Sequence, residues 1–351
     1  MQEGLDGRER LGGQDGMKIR FWLISGLLTV GAIVHAQSPA RRAPRVDTTD
    51  PACQAATLVS TGGAFPSNTS TLAIRWTGYS NFELAYKGQI LLLDAYFDRG
   101  SVYPPLGFKA ADIKRANAIL IGHGHFDHMS DAASVAIRTG ALVVGAPVTI
   151  DKLKTQSVDP KQLKAVTGRG GETFKVGVFT IDPILGRHGD PPEDVTAAFN
   201  KALQVGTTPI TAEQSKEQAA IRTRGTSDPK VTAEGTIAYL ITLDNGFRIA
   251  YRDSGGVVTD IERAAFAKIP GVDVALAATS AAFLNSLTSQ QALEYVRTYN
   301  PMAFIPAHHD APYNGLWRAT EPIFQAIKQE NPNIQTFSKG YREPTCFVTG
   351  S

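Results

Sequence analysis

Histidine and cysteine are both scarce in this chain: seven and two, respectively, among 351 residues. With cysteines only at positions 53 and 346, neither a disulfide-dense scaffold nor a thiolate-rich metal knot can be built. An excess of one charge is also missing. The formal net charge is +2 and the charged residues are spread along the chain, which argues against a nucleic-acid or anionic-membrane surface and for a small-molecule partner. No short-period repeat and no coiled-coil heptad pattern is present. Long apolar runs are lacking except near the start, and that run falls short of the roughly 20 residues a membrane span needs.

The early apolar run reads as a targeting signal. From Met17 the sequence is "MKIRFWLISGLLTVGAIVHAQS", with Lys18 and Arg20 as a positive start, an apolar centre over residues 21–34 and a small-residue cleavage site at Val34-His35-Ala36. Residues 1–36 are therefore expected to be an upstream segment plus signal peptide, with Met17 as a candidate true start, and the protein to be exported, periplasmic or secreted, without a stable membrane span after cleavage. In an oxidising compartment Cys53 and Cys346 are expected to pair, a long closure contributing at most roughly 5 kcal/mol on the chain-entropy view.

Residues 37–70 are rich in Ser, Thr, Pro and Ala without periodicity and read as an exposed, extended leader. Residues 71–351 then form one domain. Two apolar-rich segments flank Lys87-Gly88 as a hairpin, and residues 90–93 form a nearly continuous apolar strand ended by Asp94. "ANAILIG" reads as a buried strand, "SDAASVAIRTG" as a helix closed by Gly140, and "ALVVGA" as another strand. Further on, Asp244-Asn245-Gly246 marks a second hairpin. "DVALAA", "SQQALEYVRTY", "MAFIPAHHD" and "EPIFQAIKQE" follow as strand, helix, strand and helix. Strands alternating with helices indicate a layered α/β architecture.

The chemistry concentrates in "ILIGHGHFDHMSD", residues 119–131, where three of the seven histidines fall within six positions. Behind a strand at residues 118–121, His123 and His125 are two apart and point to the same side of extended chain. Asp127 and His128, where the chain turns into a helix, face a second position. This is the short-range half of a two-metal site. Other ligands must come singly from elsewhere, and His188, Asp253 and His308 each follow a strand. A lone histidine or a lone aspartate in "RDSGG" is ordinarily a surface residue or a turn former, but their shared placement at strand exits overrides that reading.

Together these residues resemble the metallo-β-lactamase fold superfamily. "HGHFDH" is similar to its HxHxDH signature, His188 to its third histidine, Asp253 in "DSG" to its bridging aspartate and His308 in "PAHHD" to its last histidine. The opening "WTGYSNFEL…LLLDAYF" resembles the first hairpin of the branch holding the ascorbate-phosphate lactonase and the phospholipase D-like enzymes acting on N-acyl phosphatidylethanolamine. The resemblance implies a four-layer αββα sandwich. It implies His123, His125 and His188 around one metal, Asp127, His128 and His308 around the other, Asp253 on both, and His309 as a mere neighbour of the ligand His308. Imidazole and carboxylate without thiolate suit two Zn2+ ions, with iron or manganese as alternatives.

Two divalent cations outweigh two aspartates and a bridging hydroxide, so the site is expected to attract anionic or carbonyl-bearing small molecules. The expected activity is hydrolysis of an ester, lactone or phosphodiester by that hydroxide, with Asp127 orienting it and passing its proton to the leaving group. A β-lactamase-type amide hydrolase is the weaker enzymatic alternative, and a non-catalytic metal- or ligand-binding module on the same fold is the alternative of another class. Residues of about 190–232 interrupt the domain as a helical insert. A first helix is expected in "PPEDVTAAFNKALQVG" and a second in "AEQSKEQAAIRTRG", opened by a capping box of Thr211 and Gln214. Because the second helix has few large apolar residues, it is expected to be weakly anchored, as a lid would be.

Overall fold

The computed structural model describes residues 41–189, 209–279, 285–310 and 320–350; the signal-like segment and the first helix expected in the insert lie outside them. In chain order the elements are β1 (Arg45–Val46), β2 (Thr71–Trp76), β3 (Phe82–Tyr86), β4 (Gln89–Leu93), β5 (Ala118–Leu120), α1 (Phe126–Met129), α2 (Ala132–Thr139), β6 (Leu142–Gly145), α3 (Pro147–Lys154), β7 (Leu163–Ala165), β8 (Phe174–Val176) and β9 (Phe179–Leu185). They continue as α4 (Ala212–Arg222), α5 (Lys230–Glu234), β10 (Ile237–Leu243), β11 (Arg248–Arg252), α6 (Asp260–Phe266), β12 (Val274–Ala278), α7 (Asn285–Tyr299), β13 (Ala303–Ala307), α8 (Glu321–Glu330), β14 (Gln335–Thr336) and β15 (Pro344–Val348).

The strands form two sheets, ordered β1-β15-β2-β3-β4-β5-β6-β7 and β14-β13-β12-β11-β10-β9-β8. Alternation along each strand explains why they stack. Leu72, Ile74 and Trp76 of β2 and Leu91 and Leu93 of β4 meet Ile237, Tyr239 and Ile241 of β10 in the central core. The intervening Ala73, Ile90 and Leu92 face outward to α2 and α3, and Ala238 and Leu240 face outward to α6, α7 and α8. Since side chains alternate with a period of two, each strand supplies both a sheet–sheet and a sheet–helix layer. The result is the four-layer αββα sandwich. Among the described residues no helix is long and apolar enough to cross a membrane.

Both hairpins form where expected. Lys87 and Gly88 both take positive φ, 46° and 75°, the conformation whose twist matches a tight β-turn, and β10 pairs with β11 across Asn245-Gly246. Gly140 ends α2 in the left-handed region.

Residues 41–70 depart from the expected exposed leader. β1 pairs with β15, and Ala52, Leu58, Val59 and Ser60 are buried. The cause is polar. Arg75 and Glu83, which alternate with core residues and so face outward from β2 and β3, are themselves buried beneath this segment: Arg75 donates to Ala52 O at 2.6 Å, while Glu83 accepts from Val59 N at 2.8 Å and Ser60 N at 2.7 Å. A segment held by its backbone on a buried ion pair carries no apolar periodicity to read. Cys53 and Cys346 form a disulfide that fastens it to β15.

Candidate metal centre

Five strands converge at one edge of the sandwich. β4 and β5 are parallel neighbours. β9 and β11 both run antiparallel to β10, while β11, β12 and β13 are mutually parallel. The residues immediately after the strands are Asp94 after β4, the 121–128 segment after β5, the turn carrying His188 after β9, Asp253 after β11 and His308 after β13. Chain ends of aligned strands are where backbone direction changes and side chains can project into a crevice. Asp94 and His308 complete their turns in the left-handed region, at φ 56° and 57°, a conformation uncommon for residues other than glycine.

Within the 121–128 segment, His125 stays extended as the residue before α1, and its carbonyl accepts from His128 N and Met129 N. One short turn thereby separates the direction of His125 from that of Asp127 and His128. The glycines of the motif are close-approach positions. A Cβ on Gly122 would run into the Asp253 carboxylate, and one on Gly124 would meet Thr226 Cγ2 at 2.7 Å.

The seven residues singled out from the sequence fall into three overlapping groups, each with donor atoms within 4.8 Å of one another: His123, His125 and His188; His123, His128 and Asp253; and Asp127, His128 and His308. His123 Nε2 and His125 Nδ1 are 3.0 Å apart. Asp127 Oδ2 lies 3.7 Å from His128 Nε2 and 3.5 Å from His308 Nε2. Asp253 Oδ2 touches a histidine of both outer groups, at 2.6 Å from His123 Nδ1 and 3.3 Å from His128 Nδ1. His309 turns away and stacks on Trp76, with ring centroids 4.3 Å apart.

Electrostatics sets the protonation of these groups. Burial pushes the Asp94 carboxyl well up, reinforced by Asp253 nearby, and burial likewise raises Asp253. Burial, with His128, His188 and His125 adding to it, drives His123 well below the usual imidazole range, which keeps it neutral and able to donate an electron pair. At Asp127 burial works against the charge, but His128 and His308 outweigh it and hold the carboxyl low. Buried carboxylates packed against imidazoles are favoured by a cation placed among them. Asp253 Oδ1 is buried without a hydrogen-bond partner, as is His308 Nδ1. The all-nitrogen-and-oxygen donor set and that orphaned carboxylate oxygen fit divalent transition metals.

Sequence reasoning missed the support around the donors. Asp94 Oδ2 lies 2.6 Å from His128 Nδ1 and Asp94 Oδ1 accepts from Gly122 N at 2.9 Å. Its signal was available, an acid ending an apolar strand at the edge that holds the histidines. Arg252 had no such signal. Buried and paired with Glu262, it donates to Arg187 O at 2.7 Å and Ser254 O at 2.9 Å, the carbonyls adjoining His188 and Asp253.

The second insert helix opens with the capping box of Thr211 and Gln214 and buries only Gln218 and Ile221, so its contacts with the rest of the domain are few. Gln218 donates to Arg99 O at 2.8 Å, Glu217 accepts from Ser101 N and Oγ at 2.7 Å, and Ile221 is buried with Tyr79, Tyr96 and Tyr103. Arg224 then pairs with Asp131 at 2.7 Å, and Thr226 N donates to Gly124 O at 2.8 Å. Most of its contacts are polar, in keeping with the few large apolar residues in its sequence.

A two-sheet sandwich with this histidine and aspartate edge defines the metallo-β-lactamase class of folds. Residues 89–309 match the beta-lactamase superfamily domain, and the chain belongs to that family. A metal-dependent hydrolase from Polynucleobacter asymbioticus is 23% identical over 270 residues, 76% of this chain and 83% of that protein. Among solved structures, a metallo hydrolase from the hyperthermophilic archaeon Ignicoccus hospitalis superposes with a TM-score of 0.55 at 16% identity, over 79% of this chain and 98% of the other. The isothiocyanate hydrolase from Delia radicum gut bacteria superposes with a TM-score of 0.50 at 14% identity, over 79% and 99%. Both likenesses concern the fold.

Proposed function

We propose that this chain is a metal-dependent hydrolase that uses two divalent cations on an ester, lactone or phosphodiester substrate. The observation that carries the reading is Asp127 Oδ2, held within 3.7 Å of both His128 and His308 nitrogens, next to a separate trio of histidines, with Asp253 touching both sides. His123, His125 and His188 would hold one ion and Asp127, His128 and His308 the other, Asp253 lying between them. Superfamily membership and the hydrolase names of the relatives support the same class.

Bound divalent ions supply Lewis acidity and a water whose pKa falls from 15.7 toward about 7. The protein's own groups do the rest. Asp94 holds the Nδ1 side of His128, so Nε2 faces the centre. Asp127, kept ionised by His128 and His308, orients the attacking water through its carboxylate and carries the proton only transiently to the departing oxygen. The cationic centre favours anionic or carbonyl-bearing small molecules. Zinc is the proposed metal because imidazole and carboxylate donors suit it, with iron or manganese as the alternatives.

Export is part of the proposal. The signal-like segment at residues 17–36 and the Cys53–Cys346 disulfide support it, since disulfides persist in oxidising compartments. Metal analysis of protein purified without added metal, followed by assays on lactones, phosphodiesters, simple esters and β-lactams, tests the reading. Two equivalents of metal and turnover of one of the first three classes are expected. Less than one equivalent, or turnover confined to β-lactams, would overturn it.

A further inference from the structure

The Asp127, His128 and His308 group depends on His308 being held in a left-handed backbone conformation, φ 57°, and a second unusual residue is bonded to it. Tyr79, φ 48°, accepts from His308 N through its carbonyl at 2.7 Å and from Trp76 Nε1 at the same distance. Tyr79 in turn is held by Asp310, two residues beyond His308, whose Oδ1 accepts from Tyr79 N at 2.8 Å. The other Asp310 oxygen accepts from Arg99 Nη1 at 2.7 Å and from Tyr341 Oη at 2.6 Å. Asp310 and Arg99 are both nearly fully buried. A loop after β2, the tip after β13 and the segment after β4 are thus tied at one carboxylate.

We propose that Asp310 is a positioning residue for the second cation site, acting through the Tyr79 backbone on His308. Asp310 cannot reach the donor cluster while both its oxygens are engaged, but it fixes the peptide whose carbonyl holds His308. Two strained residues bonded to each other stay strained only if something over-determines them. The charged hydrogen bond from Arg99 to Asp310 supplies that constraint, because an unpaired member of a buried pair is strongly disfavoured. A carboxylate placed only for packing would need no contact with Tyr79 N. The ring of Tyr79, 4.6 Å from that of His308, closes the same clamp.

The inference rests on His308 as a ligand, so the experiment carries its own control. Apo-protein is titrated with Zn2+ by calorimetry for the wild type, His308→Ala, Asp310→Ala and Asp310→Asn, with thermal unfolding of each apo-protein recorded alongside. Asp310→Ala is expected to weaken the second binding step about 10- to 100-fold, the range for residues that orient metal ligands, while the first step stays within about twofold. Asp310→Asn keeps an acceptor for Tyr79 N, and its second step should fall between wild type and Asp310→Ala. If His308→Ala loses the second step and a folded Asp310→Ala does not, the positioning role is overturned and the site reading stands. If neither loses it, the two-ion reading fails and the inference with it. Should Asp310→Ala not fold, Asp310→Asn decides: a second step equal to wild type overturns the proposal, and a selectively weakened one supports it. Both steps weakening together in proportion to the loss of stability would also overturn it, as that is the signature of packing alone.

Discussion

Asp94 Oδ2 sits 2.6 Å from His128 Nδ1 at the ends of two different segments, one after β4 and one after β5. The contact occupies the Nδ1 side of His128 and leaves Nε2 on the side of Asp127. Replacing Asp94 with Ala should weaken metal binding and activity about 10- to 100-fold, the usual cost of losing a partner that orients a ligand histidine. Competition titration against a chromogenic chelator reads this directly, and unchanged affinity would mean that His128 is oriented without Asp94.

Asp253 Oδ2 touches His123 and His128, one from each outer group, and its Oδ1 has no hydrogen-bond partner. Asp253→Ala is expected to cut turnover by two orders of magnitude or more and to lower the bound metal below two equivalents. Elemental analysis of the purified variant gives the answer. Full metal content with near-normal turnover would remove Asp253 from the centre.

The adjacent histidines should behave oppositely. His308 Nε2 lies 3.5 Å from Asp127 Oδ2, whereas His309 stacks on Trp76 and burial depresses its pKa to about 4. His308→Ala should lose metal with modest change in apo stability, and His309→Ala should keep metal while losing stability to the vacated ring. Metal content and melting temperature of the two variants separate these outcomes, and metal loss in the second alone would reverse the assignment.

What was legible in the sequence divides along a physical line. The residues that gather at the sheet edge were readable because the chemistry-bearing residues are few and several follow an apolar strand: "AILIG" before His123, "RIAYR" before Asp253 and "AFIPA" before His308. The sandwich was readable through period-two alternation in those strands. Structure built by polar side chains was not. Residues 51–61 lie over the buried Arg75–Glu83 pair and are held by it, α4 is fixed by Glu217 and Gln218, and the His188 turn is held by Arg252 on Glu262. Buried charges leave no periodic trace, and their partners are far away in sequence.

The disulfide follows from the same view of residues 41–70. It closes a separation of 293 residues, between the turn Pro51–Cys53 and β15, so on the chain-entropy account its removal costs up to about 5 kcal/mol. Cys53→Ser with Cys346→Ser should lower the melting temperature with both metals retained, because neither sulfur belongs to a donor group. Loss of metal in a folded double variant would show that the segment supports the centre as well as the sheet.

The docking of α4 yields the last prediction. Ile221 is buried against Tyr79, Tyr96 and Tyr103, while most of the helix surface is polar, so this one side chain supplies much of the apolar contact that seats the helix. Truncating a buried isoleucine to alanine costs about 2–5 kcal/mol in a packed site, but α4 also keeps Gln218 on Arg99 O and Glu217 on Ser101. Ile221→Ala is therefore expected to release the helix locally before it unfolds the domain. Hydrogen exchange should quicken at residues 212–224 and then at Thr226, whose amide donates to Gly124 O, with metal stoichiometry unchanged since no α4 residue is among the clustered histidines and aspartates. Faster exchange confined to α4 would show the helix to be independent of the histidine loop. Exchange unchanged throughout would show that the polar anchors alone hold it.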